Sequence, residues 1–282
     1  MGIANLNWQV FGHENVKQIL NRQFTSGKFP NTYLFVGNEG IGKKTLALEF
    51  AKKILVTENL NNHPDFLILD EIGELGIESA INFISKLNFR PFIAQKKVAI
   101  INNAENLNIN SSNALLKTLE EPSESTILIL ISSKLRLLPT IVSRCQVIKF
   151  HTFSSIALKK FAELNKLNIP TSAFDLSFGK INQLIKFSED KNALIQAGLL
   201  AQKYKDLIRQ STGEKLLSIG EYAELETEDL EKTFLFWLSL QVRDLGENPT
   251  DYKKMEALND SILGLKLNKN KKLILQNLFL KI

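Results

Sequence analysis

Residues 33–45 read YLFVGNEGIGKKT. The apolar run Tyr33-Leu-Phe-Val36 enters a glycine-rich segment, and TLALEFAKKIL (residues 45–55) leaves it with the apolar period of a helix. Strand, loop and helix in that order make a phosphate loop. Gly37, Gly40 and Gly42 free the backbone to turn its N–H groups toward phosphate oxygens. Lys43 neutralises the outer phosphates, and the helix start adds its dipole. The next position needs a hydroxyl to bind magnesium, and it holds Lys44. Thr45 follows, but one helical step turns a side chain by about 100°, away from the metal. The loop is degenerate, with Gly37, Gly40, Gly42, Lys43, Lys44 and Thr45 as its nucleotide-binding positions.

Working outward, four more apolar runs stand at residues 66–69 (FLIL), 98–101 (VAII), 127–131 (ILILI) and 146–150 (QVIKF). Helical patterns separate the earlier ones, IESAINFISKLNF (residues 77–89) and SSNALLKTLEEP (residues 111–122), the latter stopped by Pro122. Apolar strands without alternation, spaced by helices, predict a five-stranded parallel sheet with helices on both faces. This α/β domain should span residues 1–150. From Ser154 onward the pattern is helical throughout. Residues 151–194 read as a small helical domain and residues 195–282 as a larger all-α one, closing on the amphipathic NKKLILQNLFLKI.

The chain has 282 residues, 44% of them hydrophobic, enough to bury more than one core. No apolar run approaches the length of a membrane helix, and the opening residues lack a basic stretch followed by an apolar one, so neither a membrane span nor a secretory leader is expected. Cys145 is the sole cysteine, which excludes an intrachain disulfide and a cysteine-built zinc site. A reducing, cytoplasmic location is expected. A net charge of +5 permits contact with nucleic acid without requiring it. His13, His63 and His151 are too scattered to suggest a metal site.

The stretch KVAIINNAENLNINSSNALLKTLEEPSESTILILIS (residues 97–132), followed by LLPTIVSRCQVIKF (residues 137–150), resembles bacterial DNA polymerase III clamp-loader subunits of the AAA+ class. NALLKTLEEP (residues 113–122) and Ser143-Arg144-Cys145 carry the resemblance most specifically. WQVFGH (residues 8–13) and TYLFVG (residues 32–37) also match, and His63-Pro64-Asp65 is typical of the delta-prime branch. The resemblance implies an AAA+ domain, a helical lid over residues 151–194 and an oligomerising collar over residues 195–282. In that topology the acidic metal-binding strand is one strand later than FLILDE (residues 66–71), which sets Asp70-Glu71 aside as a decoy. The later strand ends in Asn102-Asn103, a degenerate acidic pair. Neither amide carries the charge that a divalent ion requires, and Asn103 cannot take a proton from water. Both amides are read as caps of the strand and turn.

The departures are consistent with one another. Motor subunits, of the gamma/tau kind, keep the hydroxyl and the acidic pair; here Lys44, Asn102 and Asn103 replace them. The family's nucleotide-sensing Arg falls on Asn182 of FGKIN (residues 178–182), and Ser132 and Ser133 occupy a sensor-like strand end. LVTENLNNHPD (residues 55–65) stands where many relatives insert a four-cysteine zinc module, so zinc is not expected. Arg144 matches the arginine finger, which would act in trans on a neighbour's γ-phosphate. The resemblance therefore implies a non-hydrolysing delta-prime subunit, with gamma/tau and delta subunits as partners and the sliding clamp and primed DNA as indirect ones. No cofactor is required, and ATP or ADP binding at the loop is left open. Alternatives are an active gamma/tau-like ATPase or a nucleotide-sensing adaptor outside replication. Glu71 and Glu74 argue against DNA tracking, and Arg90, Lys96 and Lys97 read as a solvated basic edge.

Overall fold

The computed structural model describes residues 6–70, 77–135, 137–245 and 249–282. Five strands form one parallel sheet: β1 (Thr32–Val36), β2 (Phe66–Leu69), β3 (Lys97–Ile101), β4 (Thr126–Ser132) and β5 (Gln146–Lys149). Their order is β2-β3-β4-β1-β5. β2, reached first after the phosphate loop, is an edge strand, and β3 lies inside it against β4. Both faces of the sheet are apolar, which is why the strands lack alternation. Tyr33, Phe35, Val98, Ile100, Ile127 and Ile129 face helices α1 (Glu14–Ser26) and α2 (Lys43–Leu55). Leu34, Ala99, Ile101, Leu128 and Leu130 face α3 (Ile77–Ser85), α4 (Ile109–Glu120) and the short α5 (Pro139–Val142). The expected three-layer α/β fold is present.

The helix expected over residues 77–89 ends as α3 at Ser85 and tightens into a 3-10 turn, Lys86–Asn88. Lys97 explains the change. Its ammonium donates to the carbonyls of Lys86 (2.9 Å) and Phe89 (2.6 Å), satisfying groups that a helix end leaves open. Lys97 is therefore not part of a solvated basic edge: it is only 5% exposed and works as an interior anchor. Lys96 donates to the carbonyl of Glu124 (2.6 Å) from an exposed position. α4 starts earlier than expected because the Asn108 side chain caps it, accepting from the Ser111 N–H at 2.9 Å.

The chain divides into two compact units. The first runs up to Lys166 and includes Gly179–Gln183; it holds the sheet and α6 (Ser155–Leu164). The second comprises Leu167–Phe178 and Leu184–Ile282. Its described elements are helical. α7 (Thr171–Leu176) comes first, and α8 (Ile181–Glu189) runs across the boundary in sequence. α9 (Lys191–Arg209), α10 (Thr212–Leu217), α11 (Ile219–Ala223), α12 (Thr227–Arg243), α13 (Pro249–Lys266) and α14 (Lys271–Lys281) complete it. Fully buried Trp237 organises this unit, with Tyr204, Tyr222 and Phe234 rings centred 5.3, 5.4 and 5.7 Å away. Among the described residues, no helix is long and apolar enough to cross a membrane.

Candidate functional site

Parallel register aligns the C-terminal ends of the strands along one edge of the sheet. Val36 pairs with Ser132, and Leu69 with Ile101, so the residues that follow each strand gather there. Ligands of open parallel sheets bind at such an edge, where strand order reverses. Here the reversal lies at β1, between β4 and β5.

The loop after β1 is shaped by its glycines. Gly40 (φ 75°) and Gly42 (φ 97°) take left-handed backbone that favours glycine. A Cβ on Gly37 would lie 2.4 Å from the carbonyl oxygen of Phe150. The Gly37 N–H bonds the Ser132 carbonyl at 3.2 Å, fixing the loop to β4. Lys43, at the start of α2, is 7% exposed. Its ammonium donates to the carbonyls of Gly37 (2.5 Å) and Asn38 (2.7 Å), not to a carboxylate. Burial lowers its pKa, while the charges of Glu105 and Glu39 work the other way. His13 braces the loop from outside, its Nε2 lying 2.7 Å from the Ile41 carbonyl oxygen; burial lowers its pKa too.

The metal side of the loop differs from that of a magnesium-dependent one. The Lys44 ammonium pairs with Asp70 just beyond β2, and the Asn102 side-chain amide donates to the other Asp70 oxygen at 2.7 Å. Burial pushes the Asp70 carboxyl up, but the bonds from Lys44 and Asn102 and the Lys44 charge outweigh it, holding the group below its ordinary range. Asn102 is thus a ligand of Asp70 rather than a cap. Asn103 has left-handed backbone (φ 53°) and makes no side-chain cap bond to the turn it begins. Thr45 lies on another side of α2, where it lines a cavity of about 720 Å³ with Val10, Leu48 and Glu49. An ammonium, two amides and one already-paired carboxylate do not suit a dication. Among the described residues, no group of three or more His, Cys, Asp or Glu side chains is positioned for a metal.

Two carboxylates have partners here that the sequence does not announce. Asp70 follows the edge strand β2, outside the acidic metal-binding position, and ties Lys44 to Asn102. Glu105, beyond the degenerate pair, accepts from the Ser133 N–H at 2.8 Å and from the Ser133 hydroxyl. Its other oxygen, Oε2, is buried without a partner. Burial works to raise the Glu105 carboxyl, and the Ser133 bonds bring it below its ordinary range. Ser132 is buried and turns its hydroxyl to the Lys134 carbonyl. The Asn182 N–H donates to the Gly40 carbonyl at 3.0 Å, so the sensor-like segment rests on the phosphate loop. Glu71 and Glu74 lie outside the described residues.

Arg144 lies elsewhere. It precedes β5, whose first residue, Gln146, pairs with Tyr33 near the start of β1. The length of β5, about 10 Å at 3.3 Å per residue, therefore separates Arg144 from the level where the phosphate loop begins. The guanidinium is partly exposed, held by the Thr140 carbonyl (2.9 Å) and by Glu120 (3.1 Å) at the end of α4. Cys145 beside it donates its thiol to the Ile141 carbonyl at 3.1 Å, and burial pushes its pKa up to about 12.

A family model described as DNA polymerase III, delta subunit, matches residues 12–154. The tau subunit of Bacillus subtilis DNA polymerase III is 28% identical over 245 residues, covering 74% of this chain and 44% of that protein. The delta' subunit of Pseudomonas aeruginosa DNA polymerase III is 35% identical over 135 residues, 41% of each chain. This chain thus spans less than half the length of these two relatives. A solved gamma subunit-related protein from Thermotoga maritima has the same fold, with a TM-score of 0.50, 23% identity, and coverage of 95% of this chain and 97% of that one.

Proposed function

The chain belongs to the DNA polymerase III clamp-loader family, and from that membership we propose that it serves as a delta-prime-type subunit that hydrolyses no ATP itself. The observation that carries this reading is the contrast between the two ends of the sheet. At the loop, Lys44, Asn102 and Asn103 stand where metal and water chemistry would need a hydroxyl and carboxylates. At the opposite end, Arg144 keeps a partly exposed guanidinium that its own loop cannot use. A permanently charged, fork-shaped donor suits the charge that develops on a γ-phosphate in a neighbouring subunit. Glu120 would preset its direction and release it on contact with the stronger anion.

In this reading, residues 151–194 form the lid and residues 195–282 the collar that joins the chain to gamma/tau-type and delta subunits. The sliding clamp and primer-template DNA are reached through the assembly, in the cytoplasm. The test is a reconstituted complex carrying Arg144→Ala. Assembly should be kept, while ATP hydrolysis and clamp loading by the complex fall. Unchanged hydrolysis would sink the proposal.

A second reading, an active gamma/tau-like ATPase, has Glu105 in its favour, since one buried oxygen of that carboxylate has no partner near Lys43. It requires DNA-stimulated ATP hydrolysis by the purified chain alone, and background turnover would remove it.

A further inference from the structure

The Lys44–Asp70–Asn102 cluster answers more than the loss of a metal. A magnesium-dependent phosphate loop holds its dication between the residue after the loop lysine and the end of the neighbouring acidic strand. In this chain those two positions are Lys44 and Asn102, and they are bridged by one carboxylate: Asp70 takes the Lys44 ammonium on one oxygen and the Asn102 amide on the other. The space between them is spanned by a cation and its ligand, all supplied by the protein. The other half of the site is unchanged in kind. The loop keeps its left-handed glycines, and Lys43 is a buried ammonium satisfied by carbonyls alone. The Glu105 and Glu39 charges favour the ammonium, but among the described residues neither carboxylate forms a salt bridge with it, so an anion at the loop is its natural complement.

We infer that Lys44 is a resident cation in the place of the metal, so that the loop takes a nucleoside diphosphate or triphosphate free of any divalent ion. Lys43 meets the phosphates from within the loop. Lys44, held at the edge by Asp70 and half exposed, swings its ammonium between that carboxylate and the outer phosphate. Asn102 keeps Asp70 in position when Lys44 lets go. This inference concerns the chain's own loop and stands apart from the role of Arg144 in a neighbour's site, so either can fail alone.

The experiment is equilibrium binding of fluorescent ADP and ATP analogues to the full chain, in excess EDTA and in millimolar magnesium. Wild type should bind in EDTA and change its affinity by less than about twofold on adding magnesium. Lys44→Gln should weaken binding in EDTA by about tenfold, the scale of one charge-assisted contact. Asp70→Asn, which releases the ammonium, should keep or tighten it. Circular dichroism confirms that each variant is folded. Binding of wild type only with magnesium, no binding in either condition, or Lys44→Gln indistinguishable from wild type in EDTA would each overturn the inference.

Discussion

Asp65 offers a direct test of how this domain is held together. It is fully buried just before β2. Its side chain accepts three backbone N–H groups, from Phe92 on one oxygen and from Ile93 (2.8 Å) and Ala94 (2.7 Å) on the other. Its carbonyl takes the Val98 N–H at 2.9 Å, so one residue fixes both the turn over residues 92–94 and the entry to β3. Bonds to a charged acceptor contribute about 1.5–3 kcal/mol each, and the sum is reduced by the cost of burying the carboxylate. Asp65→Ala should therefore destabilise the α/β unit by about 3–4 kcal/mol. Asp65→Asn keeps an oxygen for Ile93 and Ala94 but turns an amide N–H against that of Phe92, and should cost about 2 kcal/mol. Burial pushes the carboxyl up, and the three N–H groups outweigh it, so the folded state holds it below the ordinary range. The unfolded chain thus binds the proton first on acidification. The contribution is complete above about pH 4 and is lost as pH falls through the lower folded value. Urea unfolding followed by tryptophan fluorescence, at neutral pH and in steps toward acid, reads both effects. The gap between wild type and Asp65→Ala should narrow toward acid. A cost below about 1 kcal/mol, or a gap that is constant with pH, would refute the cradle argument.

Two further outcomes follow from the same geometry. Gly37→Ala drives a methyl against the Phe150 carbonyl oxygen, a backbone atom that cannot rotate away; a loss of about 2 kcal/mol or more is expected in thermal or urea unfolding. Cys145, its pKa pushed up to about 12, stays a thiol at pH 8. Iodoacetamide should label it slowly in the folded chain and at the ordinary cysteine rate in urea, as followed by mass spectrometry.

The sheet was legible because each of its strands is a short apolar run bounded by loop residues, and both faces are covered. The helix ends were less so. α3 stops where Lys97 reaches it, and nothing in the run IESAINFISKLNF announces a lysine from the next strand. Lys97 itself looked like a surface charge, since a lone lysine at a strand start is usually solvated. Glu105 gave no signal, because its partner Ser133 lies 28 residues further on.

The sequence alone determined which functional groups stand at the loop and at the strand end. Lys44, Asn102 and Asn103 fall at fixed offsets within linear motifs, and residue identity there settles whether a hydroxyl or a carboxylate is available. It also named Arg144 from its flanking residues. Tertiary structure decided which groups those residues meet. Asp70 meets Lys44 across 26 residues and Asn102 across 32 because parallel pairing of β2 with β3 brings their ends level beside α2. Parallel strands are joined by long crossovers, so their register is set by packing of the whole sheet and not by any local pattern. An ion pair that depends on that register cannot be read before the sheet is built.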